Sequence, residues 1–287
     1  MPGAGGCLRG AGGVVSSRRA QTEARSAWGG LLKPAPAWNL EPLGHAALKA
    51  LRLSSGERVL DIGCGIGGTP AALAAAVGTR GDIVGLELLQ AAVQVAERDP
   101  SLPENVSFVC GDAQDYPFET GSFDAVFSRF GVMFFADPTT AFRNVKRALR
   151  PTGRLGFVCW RRFEENELDH LPLRAAAPHL PPKLVSETTS SGWFSFSDSG
   201  CVRAILGNAG FVDVEMTPHD ELVSSGSLRA MVDVCSRVGA LGAILRDHPH
   251  LSSKAISALE RALIERDGPA GPELRAATWI VTARAGG

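Results

Sequence analysis

From residue 40 onward, short runs of β-branched and other apolar residues alternate with stretches in which apolar residues recur every three or four positions. The short runs are typical of buried strands, and the longer periodic stretches are typical of amphipathic helices. Because a helical stretch separates neighbouring strands, the order predicts a parallel sheet covered by helices on both faces. The predicted strands of this part are residues 58–62, 82–88, 106–110, 123–128 and 155–160.

Capping residues predict where several helices begin and end. Thr69 is the predicted N-cap of the helix after the first strand, and Pro70 suits its first helical position. Gly78 follows the predicted end of the same helix. Asp137 and Pro138 predict the start of the helix before the fifth strand.

The regular alternation ends after the fifth strand. Residues 161–196 contain several prolines and are too long for an ordinary connection, so they predict a cap. A helix follows at 197–210, and two further strands are predicted at 212–216 and 278–283. The helical stretch between these strands predicts a second part of the cap.

These elements predict a single doubly wound, Rossmann-like α/β domain with helical cap insertions. Ahead of it, residues 1–30 contain eight glycines, four arginines and one acidic residue, which predicts a flexible tail. The arginines permit an organelle transit peptide, but the glycines argue against the amphipathic helix of such peptides. The domain is predicted over residues 31–287, with a core at 40–160 and 197–285 and cap segments at about 161–196 and 223–272.

Composition and charge narrow the functional classes. The 29 Lys and Arg residues balance 30 Asp and Glu residues, so no overall basic field favours nucleic acid. The longest aliphatic run, residues 71–77, is far below the roughly 18 residues of a membrane-spanning helix. The six cysteines lie at least 34 positions apart, which predicts free thiols in a cytoplasmic protein. No metal site is predicted, because the close pair His248 and His250 has no acidic partner at helical spacing.

A glycine-rich loop carries the chemistry of this chain. The first predicted strand ends in Asp61 and runs into Gly63, Gly65, Gly67 and Gly68. Glycines let a ligand approach bare backbone, and the following helix N-terminus offers free N–H groups to a carboxylate or phosphate. The loop therefore predicts a nucleotide-like or amino-acid-like ligand, although its spacing also matches the dinucleotide fingerprint.

Two carboxylates at later strand ends narrow the ligand. Glu87 ends the second strand, where it can accept both ribose hydroxyls of a nucleoside that lies across the strand ends. Asp112 follows the third strand and can accept a hydrogen bond from an exocyclic amine, such as adenine N6. Together they favour an adenosine ligand at the carboxyl edge of the sheet.

With these residues the chain resembles the class I S-adenosylmethionine-dependent methyltransferases, specifically the small-molecule group that includes the quinone-biosynthesis methyltransferases. The resemblance is strong over residues 40–160 and weaker beyond. Glu87 stands where this family often has Asp, and Thr152 replaces a frequent glycine. The motifs that carry the resemblance are VLDIGCGIGG, GLEL, VCGDAQDYPF, GSFDAVFSRFGVMFF and RALRPTGRLGFVCW, in that order.

The resemblance implies S-adenosylmethionine as the cofactor and the strand order 3-2-1-4-5-7-6 with an antiparallel seventh strand. It implies that the glycine loop holds the methionine part, that Asp61 orients its ammonium group, and that Glu87 takes the ribose. It also implies adenine recognition after the third strand and a methionine contact after the fourth. The implied cofactor-binding residues are Asp61, Gly63, Gly65, Gly67, Glu87, Leu88, Asp112, Ala113, Ser128 and Arg129.

Methyl transfer from a sulfonium is an in-line displacement, so the protein has mainly to align two reactants in a dry pocket. The aromatic loop after the fourth strand predicts a small apolar or aromatic acceptor, with Phe130, Met133 and Trp160 as pocket residues. Phe134 and Phe135 suit either the pocket or the core. No general base is assigned; the candidates in the cap are Glu164, Glu165, His170 and His179.

Two alternative functions stay open at this stage. The same glycine loop could serve an NAD(P)-dependent dehydrogenase, although the sequence shows no hydride-transfer residue set. A methyltransferase-like scaffold could also bind cofactor or a partner protein without turnover.

Overall fold

The computed structural model describes residues 39–188, 192–269 and 271–286. Within these ranges one mixed sheet has the strand order β3-β2-β1-β4-β5-β9-β6, and β7 pairs separately with β8. The strands are β1 (Arg58–Ile62), β2 (Asp82–Glu87), β3 (Val106–Cys110), β4 (Phe123–Arg129), β5 (Leu149–Trp160), β6 (Val212–Val223), β7 (Asp267–Gly268), β8 (Gly271–Pro272) and β9 (Leu274–Arg284).

The predicted fold class is confirmed. Strands β1 to β5 pair in parallel, and β9 runs antiparallel to both β5 and β6. In chain order β9 is the seventh strand of this sheet, so the order is 3-2-1-4-5-7-6, as the family resemblance implied.

The last two strands of the sheet are longer than the sequence predicts. β6 continues to Val223, and the segment beyond residue 216 includes His219, Asp220 and Glu221. These polar residues carry no strand pattern because β6 lies at the edge of the sheet, where little of it is buried. Pairing with β9 extends the strand in spite of its sequence, for example through Asp220 opposite Ala277.

Helices cover the sheet, and the residue predicted as the N-cap of α2 is wrong. Helix α2 begins at Gly68 rather than after Thr69, because Gly67 adopts φ 101° and starts the turn. Thr69 lies inside the first turn with a buried side chain, so its hydroxyl does not cap the helix. Gly78 follows the helix end, as predicted. The helices are α1 (Glu41–Leu51), α2 (Gly68–Val77), α3 (Gln90–Ala96), α4 (Pro138–Ala148), α5 (Glu167–Ala176), α6 (Pro182–Thr188), α7 (Ser199–Asn208), α8 (Leu228–Arg237), α9 (Gly239–Asp247) and α10 (Ser252–Ile264).

The predicted cap of α4 is confirmed. Asp137 accepts hydrogen bonds from the Thr140 backbone N–H at 3.0 Å and from its hydroxyl at 2.6 Å.

We expect Asp137→Ala to lower the free energy of unfolding by about 1 kcal/mol at pH 7. These hydrogen bonds lower the pKa of Asp137, so its contribution is present above the ordinary range of Asp and is lost as the pH falls through the folded-state value. Urea unfolding of both proteins at pH 7 and at progressively lower pH measures it; a difference that stays constant with pH would contradict this explanation.

An aromatic cluster joins α4 to the sheet. The Phe142 ring on α4 lies 5.8 Å from the Phe157 ring on β5 and 6.2 Å from the Phe196 ring, measured between centroids. Phe211 contacts Phe142 edge to face at 6.3 Å. These side chains hold β5 against α4. The Phe142 ring also lies 5.4 Å from the ring of Phe135, which positions the loop after β4.

Helices from two separate chain segments pack together beyond the sheet. α5 and α6 come from the segment after β5, whereas α8, α9 and α10 come from the segment between β6 and β9. α5 packs against α8, α9 and α10 and also contacts β9. We call these five helices the cap.

Four of the cysteines agree with the sequence prediction. Cys64, Cys110, Cys159 and Cys235 are free thiols.

Two further predictions concern the N-terminal tail and membrane-spanning helices. The flexible tail predicted for residues 1–30 lies outside the described residues. Among the helices that are described, none has the length and apolar character that a membrane crossing requires.

Candidate active site

A narrow cleft lies at the carboxyl ends of the central strands. Its walls come from four successive strand ends, as expected where parallel strands and their loops meet in a doubly wound sheet. The structure therefore brings together residues up to 73 positions apart, and several of the predicted cofactor residues are among them. The lining residues are Ile62, Gly63, Leu86, Leu88, Gly111, Asp112, Ala113, Phe134 and Phe135.

The glycine loop adopts a backbone that other residues disfavour. Gly63, Gly65 and Gly67 have φ values of 72°, 60° and 101°, which is the left-handed region. Nothing lies within 4 Å of the position where a Cβ on Gly65 would stand. The loop therefore presents bare backbone beside the cleft.

Glu87 ties this loop to the end of β2. Its Oε2 atom accepts a hydrogen bond from the Gly65 backbone N–H at 3.1 Å, and its Oε1 atom accepts one from Leu89 N–H at 3.0 Å. The carboxylate is buried. These contacts hold a negative charge beside the glycine loop, where the sequence predicts a ribose-binding carboxylate.

Asp112 lines the cleft from the loop after β3. Its carboxylate accepts hydrogen bonds from the backbone N–H of Gln114 at 3.0 Å and from the Gln114 side-chain amide at 3.1 Å. Asn144 on α4 donates to the carbonyl oxygens of Ala113 and Tyr116 at 2.9 and 2.8 Å. The loop after β3 is thus fixed by α4, and Asp112 has a defined orientation.

Asp61 is a buried carboxylate with unusual surroundings. Within the described residues, neither carboxylate oxygen has a hydrogen-bond partner. Burial raises the pKa of Asp61 to about 8; Arg129 opposes this shift and Glu87 adds to it. A buried carboxylate without partners is costly, so this position favours a ligand that brings a positive charge.

Arg129 lies on the same face of the sheet as Asp61, because Asp61 pairs with Phe127 and Arg129 follows two residues later on β4. Burial lowers the pKa of its guanidinium group, while Asp61 and Glu41 raise it. Arg129 lines a cavity of about 290 Å³ between α1 and α2, rather than the cleft that holds Asp112. A Cβ on Gly44 of α1 would lie 2.8 Å from the Arg129 side chain, so this close approach requires glycine.

Ser128 uses its hydroxyl within the protein. The hydroxyl donates to the Ile62 carbonyl oxygen at 2.8 Å and accepts from the Gly131 N–H at 3.2 Å. Gly131 packs directly on the glycine loop: a Cβ there would stand 2.5 Å from the Ile62 oxygen and 3.1 Å from the Gly63 Cα. Ser128 and Gly131 therefore fasten the loop after β4 to the loop after β1.

The three predicted pocket residues lie together. The ring of Phe130 stacks on that of Trp160, with centroids 4.2 Å apart and planes 17° from parallel. The Trp160 backbone N–H donates to the Met133 sulfur at 3.5 Å. Phe130 has φ 59°, which turns the chain sharply after β4. Phe134 and Phe135, which the sequence left between pocket and core, line the cleft beside Asp112 and are also packed in the apolar core.

The four residues predicted as candidate bases do not line the cleft, the cavity that Trp160 borders or the cavity that Arg129 lines. Glu165 forms an ion pair with Arg161. The ring of His170 packs against Phe163.

Sequence reasoning overlooked Asp169, which is buried and lines a cavity under the cap. Its signal was its position three residues before Pro172 and four before Leu173, on the apolar stripe of α5.

Comparison with known proteins agrees with this architecture. Residues 60–157 match the family described as methyltransferase domain. A demethylmenaquinone methyltransferase of Staphylococcus carnosus is 28% identical over 183 residues, which are 59% of this chain and 73% of that protein.

Solved structures show the same fold. A protein of Bacillus halodurans superposes with a TM-score of 0.55 at 19% identity, over 85% of this chain and 98% of that one. A phosphoethanolamine N-methyltransferase of Haemonchus contortus, solved with S-adenosylhomocysteine, gives a TM-score of 0.53 at 20% identity, over 86% of this chain and 53% of that one.

The strand order, the sheet-edge cleft and the family match define the class: residues 60–157 are a methyltransferase domain, and the chain has the fold of the class I S-adenosylmethionine-dependent methyltransferases. Within that class it resembles the quinone-biosynthesis enzymes, as the demethylmenaquinone methyltransferases show. The prediction from the sequence motifs is therefore confirmed, and S-adenosylmethionine is the cofactor.

Proposed function

We propose that this methyltransferase transfers the methyl group to a small apolar or aromatic molecule that binds between the loop after β4 and the cap. The observation that carries this proposal is the stacked pair Phe130 and Trp160, of which Trp160 borders an apolar cavity under the cap. The name of the Staphylococcus relatives points to a quinone-type acceptor, and a flat ring suits aromatic walls.

The arrangement of charges supports the proposed cofactor-binding residues. The Asp61 carboxylate, which has no hydrogen-bond partner among the described residues, suits the cofactor's ammonium group, and Glu87 suits the ribose hydroxyls. Asp112 and Ala113 suit adenine, with Leu88 beside them. Arg129 lies where it can reach the methionine end, whereas the structure supports a positioning role for Ser128 through the Ile62 carbonyl and Gly131.

When bound, S-adenosylmethionine supplies a methyl group on a positively charged sulfur. The protein's part is to align donor and acceptor, and alignment of this kind contributes on the order of 7–11 kcal/mol in ideal cases. Ser128 and Gly131 fix the loop after β4 against the glycine loop, so the two binding surfaces keep a constant separation. Phe130, Met133 and Trp160 exclude water beside that loop, since all three are buried.

Titration calorimetry separates this proposal from the two alternatives. We expect micromolar affinity for S-adenosylmethionine and no binding of NAD(P). Methyl incorporation into a metabolite extract then distinguishes an active enzyme from a scaffold that binds cofactor without turnover. Tight NADP binding without S-adenosylmethionine binding would contradict the proposal.

The proposed adenosine contacts are tested by Glu87→Gln and Asp112→Asn. Each change removes a charged hydrogen-bond acceptor, so we expect each to weaken S-adenosylmethionine binding by about 1–3 kcal/mol. This corresponds to a roughly 5- to 150-fold higher Kd in calorimetry.

The matched control is Asp99→Asn, the same chemical change at a fully exposed carboxylate that accepts only from Ser101. We expect it to leave the Kd unchanged. If both site variants bound the cofactor like the unaltered protein, the assignment of Glu87 and Asp112 would be wrong.

A further inference from the structure

Gln114 joins the loop after β3 to the start of α4. It lies two residues beyond Asp112 and is half-buried. Its backbone N–H donates to Asp112 Oδ1 at 3.0 Å, and its side-chain amide donates to Asp112 Oδ2 at 3.1 Å. The oxygen of the same amide accepts a hydrogen bond at 2.5 Å from the backbone N–H of Asp137, the N-cap residue of α4.

These partners leave the Gln114 amide one favourable orientation. The Asp112 carboxylate accepts hydrogen bonds and the Asp137 N–H donates one, so the amide nitrogen has to face the carboxylate and the amide oxygen has to face the N–H. A flipped amide would place two acceptors together at Asp112 and two donors together at Asp137. The start of α4 therefore determines which end of Gln114 meets Asp112.

The two donors of Gln114 fix the plane of the Asp112 carboxylate. Each meets a different oxygen, so rotation of the carboxylate about its Cβ–Cγ bond would break both hydrogen bonds. An ionised carboxylate can accept about four hydrogen bonds, so these two orient it without saturating it. Because Asp112 lines the cleft at the sheet edge, its carboxylate has a defined direction at the cleft wall.

Other contacts hold the backbone of this loop. Asn144 on α4 binds the carbonyl oxygens of Ala113 and Tyr116, and the Asp112 carbonyl oxygen accepts from the Tyr116 N–H at 2.8 Å. These contacts do not involve the Gln114 side chain. Gln114 therefore sets the direction of the Asp112 side chain separately from the fold of the loop.

We propose that Gln114 is a positioning residue, which aims the Asp112 carboxylate at position 6 of the cofactor's purine ring and so selects adenine over a 6-oxo purine. Adenine has an amino group at this position, which donates to a carboxylate, whereas hypoxanthine has a carbonyl oxygen, which a carboxylate repels. Gln114 acts through Asp112 and requires no contact with the cofactor. This inference rests on the proposed function, because it depends on the adenine contact assigned to Asp112.

Titration calorimetry with S-adenosylhomocysteine and S-inosylhomocysteine measures this selectivity. The two molecules differ by the replacement of the 6-amino group with a 6-oxo group. We expect the unaltered protein to bind the adenine compound at least about tenfold more tightly, since hydrogen bonds to charged groups are among the stronger ones. We call this ratio of affinities the adenine preference.

The Gln114→Glu variant replaces the amide nitrogen by an oxygen and keeps the shape of the side chain. One oxygen can still accept from the Asp137 N–H, but the other repels the Asp112 carboxylate and turns it away. We expect the adenine preference to fall at least about fivefold, through weaker binding of S-adenosylhomocysteine. Gln114→Ala, which removes the donor without adding a charge, should change it in the same direction and decides if Gln114→Glu does not fold. An unchanged preference in the folded variants would overturn the proposal.

Gln94→Glu is the matched control, because it adds the same charge at an exposed side chain of α3. We expect it to retain the adenine preference. The affinity for S-inosylhomocysteine provides a second check on the Gln114 variants. General loosening of the site weakens both ligands alike and leaves their ratio unchanged, so a lower ratio reports the direction of Asp112.

Gln114→Ala in the Asp112→Asn background tests whether Gln114 acts through Asp112. Once the carboxylate has been replaced, we expect Gln114→Ala to cause no further change in the adenine preference, since two residues that act through one contact are not additive. A further loss as large as in the parent protein would contradict the positioning role.

The outcomes for the parent protein keep this inference separate from the proposed function. Failure to bind S-adenosylhomocysteine would refute the proposed function. Binding without an adenine preference would remove the adenine contact of Asp112 and this inference with it. A preference that survives both Gln114 changes refutes this inference alone.

Discussion

Replacement of Asp61 by Asn is expected to stabilise the ligand-free protein and to weaken its binding of S-adenosylmethionine. The stabilisation follows because both carboxylate oxygens are buried without partners in the described chain, and removal of a poorly compensated buried charge is favourable. We expect about 1–3 kcal/mol in the free energy of unfolding at pH 8, since Arg129 offsets part of the burial effect. The loss of a charged partner for the cofactor's ammonium group should raise the Kd about 10- to 150-fold.

The pH dependence has a defined sign. The folded-state pKa of Asp61, about 8, lies above its ordinary value of 3.8, so the folded protein holds this proton more tightly than the unfolded chain. The ligand-free protein therefore loses stability as the pH rises from about 4 towards 8. Asp61→Asn removes that contribution, so the stability difference between variant and parent should grow over this interval.

Urea unfolding between pH 5 and pH 8, with calorimetry at pH 8, measures both effects. The control is Asp82→Asn, which alters a carboxylate paired with Arg58 at the surface and should change stability by about 0–1 kcal/mol. A less stable Asp61→Asn variant at pH 8 would show that the carboxylate has a partner in the folded protein. Unchanged cofactor affinity would remove Asp61 from the site.

Gly131→Ala is expected to lose both stability and cofactor binding. The Gly131 backbone has φ −83° and ψ −42°, a conformation that Ala adopts freely, so the whole effect is steric. Its Cβ would stand 2.5 Å from the Ile62 carbonyl oxygen and 3.1 Å from the Gly63 Cα, both of which are backbone atoms. Overpacking of this kind costs about 1–3 kcal/mol, and relief of the clash moves the glycine loop away from the loop after β4.

Urea unfolding and calorimetry of Gly131→Ala measure the two losses. We expect the Kd for S-adenosylmethionine to rise at least roughly tenfold, because a displacement of the glycine loop misplaces the cofactor's backbone contacts.

Gly121→Ala is the matched control. Gly121 has φ 65° with nothing within 4 Å of a Cβ, and it lies just before β4, at the opposite edge of the sheet. There we expect a loss of about 1–2 kcal/mol from backbone strain and no change in Kd. Equal Kd values for the two glycine variants would show that the contact between the loops does not shape the site.

The parallel strands were predictable because each one is recognised from its own short stretch of sequence. A buried strand reads as a short apolar run whichever strands it pairs with, and β1 and β3 have the predicted bounds. β6 was underestimated because its second half is held by pairing with β9, which the polar side chains of an edge strand do not reveal. Thr69 was predicted as the N-cap of α2 because a Thr hydroxyl can cap a helix. The helix instead begins before Thr69, because of the conformation of Gly67.

Some properties of the candidate site were likewise predictable from the sequence, and others were not. The sequence indicated Asp61, Glu87 and Asp112 because each stands at or beside a strand end, and parallel strands bring their carboxyl ends to one edge. It did not show that Asp61 lacks partners in the described chain, that Ser128 uses its hydroxyl internally, or that Arg129 lies in a separate cavity. Those properties depend on which distant groups surround each side chain.

Asp169 shows most clearly which properties of a residue the sequence does not reveal. Its place on the apolar stripe of α5 is a sign of burial that was overlooked in the sequence. The partner of its Oδ1 atom is 71 residues away, and in the described chain its Oδ2 atom has no partner because of how the cap packs. The amino-acid sequence by itself determined the class of fold, the glycine loop and the family, because periodicity and motif spacing are properties of the chain. Only the tertiary structure decided burial, orphaned atoms and cavity walls, because these arise when segments far apart in sequence exclude water together.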